Sequence, residues 1–415
     1  MNRTASWPAR RVWRALVALL GVSTAVIGPA AGAGALSADT VRLPVMPSRL
    51  AAGSACTGDS GTVVKAVPWE QQNLQLARTR PLGSAAGVTV AVVDTGVSLE
   101  APALAGRVTA VGGAGDDCVG HGTFVAGLIA AAPVAGVGFS GAAPRARILA
   151  VRGTDRRGTA TDATVADGIR AAVAAGARVV VVSPALTRSS SRLHAAVADA
   201  ARHDALIVAA AVPDAPADGS SAAPPADYWP AAEPGVLSVV DIDVRGQRPR
   251  SAYPARHADL AAPGDGVLGI GPRGRGHFIG SGPSAAAGYT AAAAALVRSA
   301  QPGLSAAATA HRLVRTAYPA DVPRLDLYGA LTSVPGADPL RSAPAGGEPP
   351  VRPARDEPGA RATRRALAVA GAGLGLVLSV AWAASITTKV RARRRRPSEE
   401  EPVTTSAAGR TEPAG

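Results

Sequence analysis

Val88-Thr-Val-Ala-Val-Val-Asp-Thr-Gly96 decides the fold. Its first six residues are almost all apolar and mostly β-branched, which is how a strand buried on both faces of a parallel sheet reads. The run ends on Asp94. A carboxylate at the carboxyl end of such a strand stands where α/β sheets place functional groups, and also where an Asp that only forms a turn would stand. Downstream the periods alternate. They predict strand 148–152, helix 163–175 with Val165, Ile169 and Val173 on one face and Gly176 as its stop, strand 179–183, helix 191–202 and strand 205–211. A Pro/Ala/Asp-rich loop over 212–235 then precedes strand 236–241. This pattern specifies an α/β fold: one mostly parallel central sheet with helices on both faces.

Between the first two strands lies Asp116-Asp-Cys-Val-Gly-His-Gly-Thr-Phe-Val-Ala-Gly-Leu-Ile129. Phe124, Val125, Leu128 and Ile129 have the spacing of a buried helix face, so His121 sits at a helix start, between two glycines that let backbone crowd the ring. Read alone, it is either a working imidazole or a satisfied core histidine. Further on, Gly280-Ser-Gly-Pro-Ser284 leads into an Ala-rich helix over 285–300, followed by a helix over 305–317, and the domain ends near Leu331. Ser281 and Ser284 read equally as cap or linker residues. Together, Asp94, His121 and a later serine supply the parts of a nucleophilic triad: a carboxylate that orients an imidazole, an imidazole that takes a hydroxyl proton, and an alkoxide that attacks a carbonyl.

The ends of the chain lead to the expectation that this domain lies outside the cytoplasm. Arg3, Arg10, Arg11 and Arg14 precede the apolar run 15–27 and the small-residue stretch Ala30-Ala-Gly-Ala-Gly-Ala35, the layout of a secretory signal peptide cleaved after Ala33 or Ala35; an uncleaved signal anchor would leave the same body outside. Near the other end, residues 366–388 carry no charge and are long enough to cross a hydrocarbon core of about 30 Å. The dense cationic block of Lys389, Arg391 and Arg393 to Arg396 follows, against only Arg364 and Arg365 before, so the tail is expected in the cytoplasm.

Composition narrows the rest. Hydrophobic residues make up 47% of the chain and aromatics only 3%, so the core must be filled with small side chains. The net charge of +13 is partly topogenic and lacks a basic helix with interleaved aromatics, which argues against a nucleic-acid partner; the remaining arginines read as solvated surface. Cys56 and Cys118 both lie in the exported part and are expected to pair. Two cysteines give no structural zinc set, and neither metal nor cofactor is expected. Residues 39–86 show little periodicity beyond a short polar helix-like piece over 69–78, and read as an extension wrapped on the domain or as a propeptide.

Over about residues 87–330 the sequence resembles the subtilases, in VAVVDTGV around Asp94, GHGTFVAGLIAA around His121, AAPRARILAVR, WPAAEPGVLSVVDID and DLAAPGD. The order Asp, His, Ser is that of subtilisins. Within that family the chain is similar to the mycosins of actinobacterial type VII secretion, in its signal peptide, the Cys ahead of the His motif, PWEQQNLQLARTRPLGSAAGVTVAVVDTGV, a Pro-rich stalk and one C-terminal membrane helix. The resemblance implies a subtilisin-like serine endopeptidase acting on proteins or peptides through Asp94, His121 and Ser284, in a type VII secretion membrane complex. The implied layout is signal peptide 1–35, N-terminal extension 36–86, catalytic domain 87–334, linker 335–363, transmembrane helix 364–388 and cytoplasmic tail 389–415.

Three departures from the family pattern bear on rate. Around the nucleophile, Gly282-Pro283-Ser284 replaces Gly-Thr-Ser, and Gly288 replaces a later Pro. Counting back from Ala295-Leu296-Val297 puts Ser284, and not Ser281, at the nucleophile. Val212-Pro213 stands where the family has the Gly-Asn that supplies an oxyanion donor, leaving Asp214, Ser220 or Ser221 to fill in. Pro184 falls in the expected substrate-pairing strand, where it cannot donate a backbone hydrogen bond. Losing one oxyanion donor costs about 10²–10³ in turnover, a magnitude known from a subtilisin. A slow enzyme is therefore expected, or else a silent scaffold of the same fold.

Overall fold

The computed structural model describes residues 41–214, 226–334 and 358–393. The expected signal peptide, Ser220 and Ser221, most of the 335–363 linker and the last part of the tail lie outside the described residues. The chain divides into two units, residues 1–337 and 338–415.

In chain order the first unit holds α1 (Trp69–Asn73), α2 (Leu76–Thr79), β1 (Thr89–Asp94), β2 (Val108–Ala110), α3 (His121–Ala130), β3 (Arg147–Arg152), α4 (Asp162–Ala174), β4 (Val179–Val182) and α5 (Ser191–Arg202). Next come β5 (Leu206–Ala210), β6 (Leu237–Ile242), β7 (Leu260–Pro263), β8 (Val267–Ile270), β9 (His277–Gly280), α6 (Pro283–Ala300), α7 (Ala306–Arg315) and α8 (Leu327–Thr332). Seven strands form one sheet in the order β2-β3-β1-β4-β5-β6-β7, with every neighbouring pair parallel. β1 is an interior strand, third of seven, and later parts of the chain add β3 on one side of it and β4 on the other, which opens a crevice at its carboxyl end.

The period of two in the strands divides their side chains between two cores. Val90 and Val92 of β1, with Val179 and Val181 of β4, join the core beneath α3 and α6; Ala91, Val93, Val180 and Val182 join the core beneath α4 and α5. Fully burying each valine is worth roughly 1.5–3 kcal/mol before the entropy of ordering it. Both faces of β4 are thereby committed, and its four residues are all buried valine. A register slip of one residue would exchange the two cores.

α6 shows why the chain tolerates so few aromatics. Pro283 to Arg298 are all buried, including an unbroken run of alanines from 291 to 295, so the helix lies close on the sheet with little side-chain volume between them. Gly288 extends that fit: a Cβ there would stand 3.2 Å from Val125 Cγ1 on α3. α3 itself is buried on every side, more than the single apolar face read from its spacing.

The extension is fastened along the body. Met46 donates to the Ile279 carbonyl at 2.8 Å, His277 donates its backbone N–H to Thr62 at 2.7 Å, and a disulfide joins Cys56 to Cys118, as the cysteine count predicts. The piece expected to be helical over 69–78 is broken, because Gln75 takes a left-handed conformation (φ 51°) between α1 and α2. Nor is that piece uniformly polar at the surface, since Glu70 and Gln71 are buried. Arg298 corrects the expectation that the arginine surplus is solvated: it is buried, donates to the Arg178 and Asp204 carbonyls at 3.0 and 2.8 Å and pairs with the Asp204 carboxylate. Residues 243–280, to which sequence period assigns no element, hold β7 and the β8–β9 hairpin; each of these strands has four residues, too few for a period to show.

In the second unit, α9 (Pro358–Arg393) contains Leu367–Thr387, a 21-residue stretch of mean hydropathy 2.0, long and apolar enough to cross a membrane.

Candidate active site

Three elements bring the predicted residues together. Asp94 closes β1, His121 opens α3 and Ser284 is the second residue of α6. His121 Nδ1 lies 2.9 Å from both Asp94 oxygens, and His121 Nε2 lies 3.1 Å from Ser284 Oγ. All three side chains are buried. Ser281 takes no part, because its hydroxyl accepts the Gly266 N–H at 2.9 Å.

The turn that presents His121 is held by a residue that nothing in the sequence singles out. Asp117 is buried, and its Oδ1 accepts the Thr95 hydroxyl and the Gly120 N–H, both at 2.8 Å. Its Oδ2 accepts the Thr123 N–H at 2.9 Å and the Thr123 hydroxyl at 2.6 Å. One carboxylate thus satisfies two of the free N–H donors around the start of α3, and through Thr95, which accepts the Gly122 N–H at 3.0 Å, ties them to the end of β1. The available signal is an acidic residue just ahead of a helix start, a pattern too common to be specific. Gly120 is required at φ 93°, and a Cβ on Gly122 would fall 2.0 Å from the Gly96 carbonyl oxygen. Gly122 therefore lets the helix approach the backbone just past β1, and Gly120 leaves room for the Pro272 and Met46 side chains.

Asp214 is the fourth member of the group. Its Oδ2 accepts the Ser284 hydroxyl at 2.7 Å and lies 3.1 Å from His121 Nε2, while its Oδ1 accepts the Ser284 backbone N–H at 3.1 Å. It is one of the residues expected to stand in for the absent Asn after β5. It does reach that region, as an acceptor that occupies the Ser284 N–H.

Two carboxylates on one imidazole set the local charge. Burial alone would keep His121 neutral, but the Asp94 charge, the hydrogen bonds to Asp214 and Asp94 and the Asp214 charge outweigh it and hold the imidazole well above its ordinary range. Asp94 is pushed up by burial and pulled down further by His121 and the Thr95 N–H, so it stays below the usual carboxylate value. A negative charge developing about 3 Å from the Asp214 carboxylate would be opposed by roughly 5 kcal/mol at an effective dielectric near 20.

A cleft of about 380 Å³ opens onto the site, its walls including Ser48 and Arg49 of the extension, Thr154, Pro184, Leu186 and Tyr253. Pro184 stands two residues beyond the end of β4 and offers no N–H to a chain laid beside it.

Comparison with known proteins places this geometry in context. A sequence profile described as the subtilase family matches residues 85–346. Mycosin-3 of Mycobacterium tuberculosis is 30% identical over 84% of this chain and 90% of its own length. Thermitase of Thermoactinomyces vulgaris is 34% identical over 48% of this chain and 71% of its own. Among solved structures, the MycP3 protease from the type VII (ESX-3) secretion system superposes with a TM-score of 0.58 at 31% identity, covering 67% of this chain and 92% of that one. MycP1 from Mycobacterium smegmatis gives 0.60 at 26% identity, covering 75% and 96%.

Proposed function

The chain belongs to the subtilase family, and from that premise we propose that it is a membrane-anchored, extracytoplasmic serine endopeptidase whose Ser284 attacks the scissile carbonyl of a protein substrate. The observation that carries this reading is the bridging position of His121, 2.9 Å from the Asp94 oxygens through Nδ1 and 3.1 Å from Ser284 Oγ through Nε2. In the first step the neutral imidazole takes the Ser284 proton as the Oγ–carbon bond forms, and Asp94 fixes the tautomer and stabilises the resulting imidazolium. The imidazolium then protonates the leaving amine as the peptide bond breaks, leaving an acyl-enzyme that water hydrolyses by the same proton relay. The Ser284 N–H, at the start of α6, is one oxyanion donor once Asp214 has vacated it.

Anchoring rests on Leu367–Thr387 and on the basic block after it, which orient the body outside and residues 389–415 inside. The resemblance to type VII secretion proteases supports a place in such a secretion complex. The residues ahead of the body, 1–35, serve as its export signal. A second reading, a silent subtilase fold kept as a subunit of that complex, is favoured by the carboxylate lying on Ser284. A fluorophosphonate probe separates the two. Covalent labelling of the full-length protein in detergent that disappears in Ser284→Ala supports the enzyme; labelling that persists moves the nucleophile elsewhere, and none in any variant leaves the scaffold.

A further inference from the structure

The Ser284–His121 pair is already occupied by part of the chain itself. Asp214 meets three donors at once: the Ser284 backbone N–H at 3.1 Å, the Ser284 hydroxyl at 2.7 Å and His121 Nε2 at 3.1 Å. Its side chain is 10% exposed. The start of α6 is shaped around the carboxylate, since Gly282 sits at φ 143° and a Cβ there would fall 2.0 Å from Asp214 Oδ1. A backbone N–H at a helix start, a hydroxyl and an imidazolium N–H form a carboxylate-binding set. It is also the set that a newly cleaved peptide would meet with its C-terminal carboxylate, one oxygen on the Ser284 N–H and the other between Oγ and Nε2.

We propose that Asp214 is a built-in product mimic that latches the site shut, and that the pocket it fills binds free carboxylates, including peptide C-termini, once Asp214 is trimmed. This rests on the reading of Ser284 as the nucleophile. While the latch is in place the Ser284 proton is directed to Asp214 and away from His121, and the Ser284 N–H is not available to an oxyanion. Substrate must therefore displace the side chain before acylation.

The charges around Asp214 show what holds it and what can release it. His121 at the start of α3 attracts it. Asp94 at the end of β1 and Asp241 on β6 repel it, with Arg248 partly neutralising Asp241 and Asp265 adding negative charge beside Asp241. One imidazolium thus holds the latch against several carboxylates, and deprotonating His121 as pH rises removes that hold.

The test measures fluorophosphonate labelling of the full-length protein at pH 7.5, a step in which the Ser284 Oγ–phosphorus bond forms, fluoride leaves and the proton passes to His121. Asp214→Ala and the isosteric Asp214→Asn should both label at least about tenfold faster than wild type. Acetate at tens of millimolar should slow Asp214→Ala by refilling the pocket and leave wild type unaffected. If wild type labels at Ser284 and neither folded variant is faster, the latch is overturned; acceleration that acetate does not reverse overturns the carboxylate pocket. If no variant labels at all, the nucleophile reading fails, and an NMR titration of the His121 ring decides the latch alone. A drop in its pKa in Asp214→Asn retains the contact, and an unchanged value removes it.

Discussion

Glu70 Oε1 accepts the Leu268 N–H at 3.0 Å, so a carboxyl from the N-terminal extension is built into the β8 strand almost two hundred residues further along the chain. Glu70 is fully buried, and beside it the Trp69 indole donates to the Gly266 carbonyl at 3.1 Å and the Gln71 amide to the Ser140 carbonyl at 2.8 Å. These contacts make the extension part of the folded body.

Burial raises Glu70 to about 7 from 4.5, against the opposing backbone hydrogen bonds. Because the folded state holds this proton more tightly than the unfolded chain, the group favours folding at low pH, and that contribution is lost as pH climbs from about 4.5 to about 7. The loss is on the order of 3 kcal/mol. Glu70→Gln keeps an acceptor for Leu268 without a charge. It should be more stable than wild type in urea unfolding above pH 7 and lose that advantage toward pH 5; a constant difference across the range would mean that Glu70 does not titrate there.

Labelling at Ser284 should have a shifted pH profile. An unperturbed imidazole becomes a competent base above about 6.5, but His121 is held well above that by two carboxylates, so the wild-type rate should still be rising where an ordinary serine hydrolase has levelled off. By linkage, the imidazolium contributes stability that is fully present below about 6.5 and lost as pH rises through its folded value. A plateau in the labelling rate by pH 7 would contradict this.

Asp94→Asn should cut the labelling rate by up to about 10⁴-fold, because an amide can stabilise the wrong imidazole tautomer without moving the ring. The secondary structure, followed by circular dichroism, should be unchanged. A folded variant that labels at the wild-type rate would remove Asp94 from the mechanism.

Reducing the Cys56–Cys118 bridge, which closes a 62-residue separation, should cost about 2–4 kcal/mol of stability. Cys118 stands three residues before His121 and the Thr57 hydroxyl donates to the Val119 carbonyl at 2.6 Å, so labelling should also slow on reduction. Equal urea midpoints with and without reductant would show that the extension holds without the bond.

Protease added to intact cells should digest residues between 40 and 360 and spare an epitope placed at the C-terminus. Loss of the epitope with survival of the body would reverse the orientation.

Most of the sheet was legible because its strands are buried on both faces and because some of its helices, α4 and α5 among them, begin on a capping side chain. Val179 to Val182 could hardly be anything else, and Ser190, whose side chain accepts the Leu193 N–H at 3.2 Å, marks the start of α5. β2, β7, β8 and β9 were not legible, since strands of three or four residues among glycines and prolines show no period. The break at Gln75 escaped for a related reason: a non-glycine residue with positive φ is stabilised by what packs around it, and here the Gln75 amide reaches the Tyr318 hydroxyl at 3.2 Å.

By itself the sequence determined the α/β class and the pairing of the two cysteines and singled out Asp94, His121 and Ser284 as candidates, because each follows from local period, from count, or from motifs a few residues long. Only the tertiary structure decided what those residues face. Asp117 becomes an anchor because the β1 end and the α3 start converge on it, and Glu70 becomes a buried acid because the extension folds back onto β8. Asp214 lies 70 positions before Ser284, yet the side-by-side carboxyl ends of the parallel strands bring the loop after β5 against the start of α6. No spacing in the chain encodes that meeting, since it depends on the strand order of the sheet.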